Sequence, residues 1–189
     1  MATILEQPEI RNRARGMTVS AYHRLIELGE IQGRVELIEG FVVEKMSKSP
    51  LHRFVVRALV RLLEAYCRSK QLLVFKEEPL TLESSEPEPD VAIVVGIEED
   101  FADAHPSTAL LVVEVAISSV SLDQAKAESY ARAEVNEYWV IRPEDEVIEV
   151  YREPVNGAYQ STSSIRIGNL LQSTALNGFS LRLGDLLPK

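Results

Sequence analysis

The sequence predicts a mixed α/β fold, a central mixed β-sheet flanked by helices, and three observations carry that prediction. Two short β-branched runs, residues 89–95 and 110–116, have the composition of strands buried on both faces. A longer segment, residues 51–69, repeats apolar residues at helical spacing through Val55, Val56, Leu59, Leu62, Leu63 and Tyr66. The order helix, hairpin, helix, strands, helix, strands then implies a sheet with helices packed on it. At 189 residues, 46% hydrophobic and 26% charged, the chain has enough apolar material for one core. The expected division is an N-terminal arm, residues 1–17, followed by a single domain, residues 18–189.

Taken in order, Thr18 or Ser20 caps a short helix over residues 21–28, and Gly29 stops it. Residues 34–44 read as a β-hairpin turning at Glu39-Gly40. By alternation Glu36 lies opposite Val35 and Leu37, which makes it a solvent-facing strand residue. Ser47-Lys48-Ser49-Pro50 initiates the long helix, whose Arg53, Arg57 and Arg61 form one stripe at i, i+4, i+8. A solvated face is the ordinary explanation of such a stripe, although it is the best local basic feature in the chain. Short strands are expected over residues 72–75 and 79–82, separated from the Asp90 strand by a loop rich in Pro and Glu. A helical turn follows near residues 98–102. Ser121 and Gln124 match a capping box for a helix over residues 122–133. Residues 136–141 and 147–152 read as paired strands, Asn156-Gly157 as a hairpin turn, and the tail as an edge strand with a short closing element.

Composition excludes several function classes. The formal charge of −9 argues against a broad basic surface for non-specific nucleic-acid binding, while leaving room for a local basic patch. Cys67 is the only cysteine, so there is neither an intrachain disulfide nor a thiolate zinc cluster, and its helical position suits a small core residue. No apolar run has the length of a signal peptide or a membrane span. A soluble, cytoplasmic protein with no membrane association is expected, and no protein partner is inferable.

Each buried run carries one carboxylate. Asp90 opens the first strand and Glu114 sits within the second, 24 positions later. An ionised carboxylate in such a strand must be paired, bound to a metal or protonated. Two of them one strand spacing apart can hold a hard cation such as Mg²⁺ through oxygen; solvent-exposed or ion-paired acids are the competing reading. Lys126 follows on the next helix, sharing a stripe with Leu122 and Tyr130 at i, i+4, i+8. Its ammonium either snorkels to water or points back over the sheet towards the two acids. Two carboxylates and a lysine form a chemically competent set for phosphodiester hydrolysis: a cation polarises phosphoryl oxygen and activates water, and an ammonium stabilises developing charge.

These residues resemble the PD-(D/E)XK motif of the restriction-endonuclease-like nucleases, and more closely the Uma-two-type endonuclease family. The resemblance is carried in order by Glu36–Gly40, Ser49–His52, Pro89-Asp90, Glu114-Val115, Lys126 with Tyr130, and Glu137–Trp139, over roughly residues 18–186. It implies a restriction-endonuclease-like core with an extra N-terminal helix and hairpin and additional C-terminal strands. It also implies Asp90 and Glu114 as metal ligands and catalytic groups, and Lys126 as the catalytic lysine. Ala116 stands where the commoner motif has lysine, and the role passes to the helix. Glu36 becomes a further metal ligand or supporting acid, and His52 a supporting residue that contacts phosphate or tunes a ligand. Tyr130 and Trp139 are read as core packing. Two departures stand out: Ala116-Ile117-Ser118-Ser119 replaces the commoner Leu-Ser-Pro-Ser, and Arg142 replaces an acid after the Trp139 strand.

The expected function is a Mg²⁺-dependent (or Mn²⁺-dependent) endonuclease acting on DNA as a homodimer. The alternatives are a catalytically inactive binding or assembly module on the same fold, or a nuclease for RNA or small phosphodiesters.

Overall fold

The computed structural model describes residues 13–189, so most of the expected arm, residues 1–12, lies outside the described residues. The chain runs α1 (Val19–Glu27), β1 (Val35–Ile38), β2 (Phe41–Glu44), α2 (Pro50–Cys67), β3 (Leu72–Phe75), β4 (Val91–Val95), a 3₁₀ turn (Glu98–Phe101), β5 (Leu111–Val115) and α3 (Val120–Arg132). It continues with β6 (Glu137–Arg142), β7 (Val147–Val155), β8 (Ala158–Arg166), β9 (Leu170–Gln172), β10 (Ser180–Arg182) and a closing 3₁₀ turn (Leu183–Asp185). Strands β3 to β8 form one six-stranded sheet in sequence order. All its neighbours are antiparallel except β5 and β6, which α3 joins as a parallel crossover.

Alternation along the central strands sorts the core into two layers. Val91, Ile93, Val113, Val115, Trp139 and Ile141 pack on the α2 side with Val55, Leu59 and Leu63. Ala92, Val94, Val112, Tyr138 and Val140 pack on the other side with Leu80, Leu82 and Tyr130 of α3. Both faces are covered, which is why these strands read as continuous apolar runs. Glu114 has the parity of the second layer, so the pleat aims it towards α3. Trp139 and Cys67 are core residues, as expected.

Thr18 caps α1 by accepting from the Ala21 N–H, and Ser49 caps α2 by accepting from the His52 N–H, with Pro50 in the first turn. The β1–β2 hairpin turns at Glu39-Gly40, both with positive φ. A Cβ at Gly40 would meet Gly16 Cα at 2.5 Å, so glycine is required there for space as well as for conformation. Asn156-Gly157 likewise turns β7 into β8 with both residues at positive φ.

Three expected elements differ. Residues 79–82 are not a strand: Leu80 and Leu82 are buried, but their backbone N–H groups bond to Pro87 and Ser85 within a tight loop. Helix α3 starts at Val120, two residues before the expected start at residue 122, and follows Ser119, whose hydroxyl bonds the Asp123 carboxylate rather than a backbone N–H. Glu36 does not face solvent. The hairpin is covered on its β1 edge by residues 84–88, through Leu37 pairing with Glu86 and Gly40 N–H bonding Ser84, so Glu36 and Leu37 are both buried. Among the described residues no helix is long and apolar enough to cross a membrane.

Candidate active site

Asp90 and Glu114 face each other at the end of the β4–β5 ladder. The paired register runs Val91 against Val113, and one step further brings Asp90 opposite Glu114. Each carboxylate then accepts a backbone N–H from the other strand. Glu114 Oε2 accepts the Asp90 N–H at 3.2 Å, and Asp90 Oδ2 accepts the Val115 N–H at 2.8 Å. The two acids are thereby fixed by the sheet itself, with little rotamer freedom left to lose on binding a ligand.

Lys126 completes the set from above. Its ammonium lies 2.9 Å from Glu114 Oε1, 2.9 Å from Glu36 Oε1 and 3.6 Å from Asp123 Oδ1. Of the two directions open to this lysine, the chain takes the inward one. Glu36, Asp90, Glu114, Asp123 and Lys126 retain only 2%, 4%, 4%, 4% and 3% of their surface, so none is a solvated surface charge. Glu36 is brought in through Lys126, and its second oxygen accepts the Glu88 N–H at 3.3 Å. Tyr130 is core, but its hydroxyl also donates to Glu114 Oε1 at 3.2 Å. The stripe Leu122-Lys126-Tyr130 therefore delivers two polar tips to one carboxylate.

Asp90 is held from the other side. His52, in the first turn of α2, lies with Nε2 2.9 Å from Asp90 Oδ2, and Lys48 Nζ donates to Oδ1 at 2.7 Å while reaching Glu77 at 3.3 Å. His52 is thus a partner of a candidate ligand. Its Nδ1 is buried without a partner among the described residues.

The electrostatics of the two acids are opposite. Burial raises the Asp90 pKa, but the hydrogen bonds and charges of His52 and Lys48 outweigh it and hold the carboxyl down at about 2. Burial pushes Glu114 up to about 8; Lys126 opposes the rise, while Asp123, Asp90 and Glu36 reinforce it. One ammonium shared by three carboxylates cannot neutralise them all. Asp123 is raised for the same reasons, by burial first, with Lys126 and the Ser119 hydroxyl opposing. Burial alone would lower Lys126, but Glu114, Glu36 and Asp123 keep it firmly protonated.

These groups line a cavity of about 80 Å³, room for a few water molecules. Its wall carries five carboxylates, Glu36, Glu88, Asp90, Glu114 and Asp123, against three ammonium groups, those of Lys45, Lys48 and Lys126. Among the described residues no three acids or imidazoles converge into a complete ligand cage. Mg²⁺ needs no such cage, because it is ordinarily held by one or two carboxylates together with water and substrate phosphate. Two rigid acids fit that requirement, with the proton that burial favours on Glu114 given up when a cation binds.

Sequence reasoning assembled Asp90, Glu114, Lys126, Glu36 and His52, and the structure brings all five together. It missed Lys48 and Asp123. Asp123 carried a readable signal, standing at i, i+3 to Lys126; Lys48 carried none, since a lysine in a Ser-rich loop reads as solvated. Arg142 pairs with Asp145 and with Glu149, on the neighbouring strand, away from this cavity.

A mixed sheet with a helix on each face and two strand-end carboxylates beneath a helix lysine defines a restriction-endonuclease-like nuclease fold. The solved structure of "a putative nuclease belonging to DUF820" from Anabaena variabilis superposes with a TM-score of 0.72 at 18% identity, covering 86% of this chain and 96% of that one. The sequence model of the Uma2 family, described as "Putative restriction endonuclease", matches residues 19–184. The chain belongs to the Uma2 family. No curated protein matches it.

Proposed function

We propose that this protein is a Mg²⁺-dependent endonuclease that hydrolyses phosphodiester bonds in DNA. The observation that carries the reading is the seating of the Lys126 ammonium against Glu114 and Glu36, beside Asp90, in one polar cavity at the end of the sheet. Asp90 and Glu114 are the residues that would hold the cation, and Glu36, whose Oε1 sits on the Lys126 ammonium, would act on it through that lysine. Bound there, Mg²⁺ or Mn²⁺ would polarise a phosphoryl oxygen and make water a better nucleophile.

The chain's own groups have distinct tasks. Lys126 is held protonated by three carboxylates, so it is an N–H donor and a fixed positive charge, not a general base. In that state it orients the attacking water and stabilises negative charge developing on the phosphoryl group. His52 and Lys48 keep Asp90 ionised and immobile. Tyr130 and the Asp90 N–H fix the rotamer of Glu114. Cutting both strands at once calls for two such sites, so the working form in this reading is a homodimer.

The test is cleavage of supercoiled plasmid with Mg²⁺, with Mn²⁺ and with EDTA, comparing wild type with Asp90→Ala and Lys126→Ala. Metal-dependent nicking by wild type that both variants lose is the expected result. Unchanged cleavage in both variants overturns the site assignment, and no cleavage of any DNA or RNA leaves the binding-module reading in its place.

A further inference from the structure

The arginine stripe on α2 has no part in the site described above. Arg53 and Arg57 line a separate open groove of about 450 Å³ together with Arg34, Lys48, Val56, Lys76 and Glu77. Arg34 comes from the turn into β1, Arg53 and Arg57 from consecutive turns of α2, and Lys76 from the end of β3. Three separate parts of the chain thus place cations on one concavity. All four are exposed, and among the described residues none of the four has a carboxylate within 4.0 Å. The one acid in the groove, Glu77, is engaged by Lys48. In a chain with 29 acidic and 20 basic residues, four cations with no ion-pair partner among the described residues, facing one acid already engaged by Lys48, run against the composition.

The groove is also continuous with the acidic cavity. Lys48 lines both: its ammonium spans Asp90 on one side and Glu77 on the other. A polyanion lying along the groove therefore arrives at Asp90, where a small anion would gain little from cations spread over so wide an opening. Resting on the nuclease reading above, we infer that this groove seats the phosphodiester backbone of the DNA strand flanking the bond to be cut. Arg34, Arg53, Arg57 and Lys76 are its phosphate contacts. Local pairing of this kind lets a protein of net charge −9 bind DNA without a basic surface overall.

The test is binding of a fluorescein-labelled 30-base-pair duplex, by anisotropy with Ca²⁺ in place of Mg²⁺, over a range of salt concentrations. Each phosphate contact contributes about 0.9 to the slope of log K against log salt. The quadruple variant Arg34→Gln, Arg53→Gln, Arg57→Gln, Lys76→Gln is expected to lose about 3 to 4 from that slope. A variant with Arg53→Lys and Arg57→Lys keeps most of the slope, and a control with Arg166→Gln and Arg182→Gln, exposed positions on β8 and β10, leaves it unchanged. A slope unaffected by the quadruple substitution, or reduced as much by the control, overturns the inference. Plasmid cleavage in the same preparations separates the two readings. Metal-dependent nicking that is lost in Lys126→Ala, with a salt slope indifferent to the groove, removes the groove alone. A groove-dependent slope with no cleavage by wild type removes the nuclease reading alone.

Discussion

Glu114→Gln tests the electrostatic description of the site without relying on turnover. In the folded, metal-free protein the Glu114 carboxyl is raised from its usual 4.5 to about 8, first by burial and then by Asp123, Asp90 and Glu36, against the pull of Lys126. Between those two values the folded state keeps a proton that the unfolded state has released. Stability therefore falls as pH rises through that window, at up to about 1.4 kcal/mol per pH unit. By pH 7 the loss from this one group is on the order of 3 kcal/mol, and it levels off only above pH 8. Glutamine preserves the shape and one carbonyl acceptor but cannot ionise. It costs about 1 kcal/mol at pH 5, where its amide faces the Asp90 N–H, and it removes the decline above that pH. Urea unfolding in EDTA at pH 5, 6, 7 and 8 measures both lines. Wild type is expected to descend with pH and the variant to run clearly flatter, so that the variant becomes the more stable protein at pH 8. Excess Mg²⁺ should flatten the wild-type line, because a cation bound there favours the ionised carboxylate, and leave the variant largely unmoved. Parallel lines in EDTA would refute the reasoning.

Other perturbations follow from the same geometry. Lys126→Met removes the one cation shared by Glu36, Glu114 and Asp123 and is expected to destabilise the fold by about 3–5 kcal/mol in denaturant titration at pH 8, with a smaller cost at pH 5 where the acids can take up protons. Asp90 shows the opposite pH dependence. Its carboxyl is held at about 2 rather than 3.8, so it contributes about 2 kcal/mol that is fully present above pH 4 and lost as pH falls towards 2; Asp90→Asn should blunt acid unfolding in that range. Glu137, fully buried, binds Arg152 and accepts from Ser173, Thr174 and Ala175, so Glu137→Ala should cost roughly 3–5 kcal/mol and raise hydrogen exchange selectively at residues 173–176. Gly40→Ala places a methyl group 2.5 Å from Gly16 Cα at a φ of +78°, and a fall in melting temperature with the Glu39-Gly40 turn displaced is the expected outcome.

The sheet was legible wherever burial is two-sided. Residues 90–95 and 111–115 are each apolar at every position but one, so Asp90 and Glu114 stood out by contrast. The lysine was legible because Leu122 and Tyr130 marked the inward stripe of its helix. Glu36 was not, because alternation assigns a strand residue to core or solvent only when one face of the sheet is open. Here residues 84–88 cover the hairpin edge, and the face opposite Val35 opens onto Lys126 instead of water. Leu80 and Leu82 show the same limit: their alternation is real, but the adjacent backbone bonds close a loop rather than a ladder. Ser121 and Gln124 satisfy the capping pattern, yet the helix begins after Ser119, whose carbonyl accepts the Asp123 N–H and whose hydroxyl bonds the Asp123 carboxylate. Lys48 left no local signal, since its partners lie 29 and 42 positions away, at Glu77 and Asp90. Long-range pairings between loop residues are the part of a site that periodicity does not encode.

The central claim is that Asp90 and Glu114 together hold a divalent cation next to Lys126. The most direct measurement is a crystal soaked in Mn²⁺ and imaged by anomalous diffraction. The account predicts one strong peak in the Asp90–Glu114 cavity, with an oxygen of each carboxylate about 2.0–2.3 Å from the ion and the Lys126 ammonium still on Glu114 or Glu36. A peak confined to surface acids, with Lys48, His52 and Lys126 still saturating both carboxylates at high Mn²⁺, would contradict it.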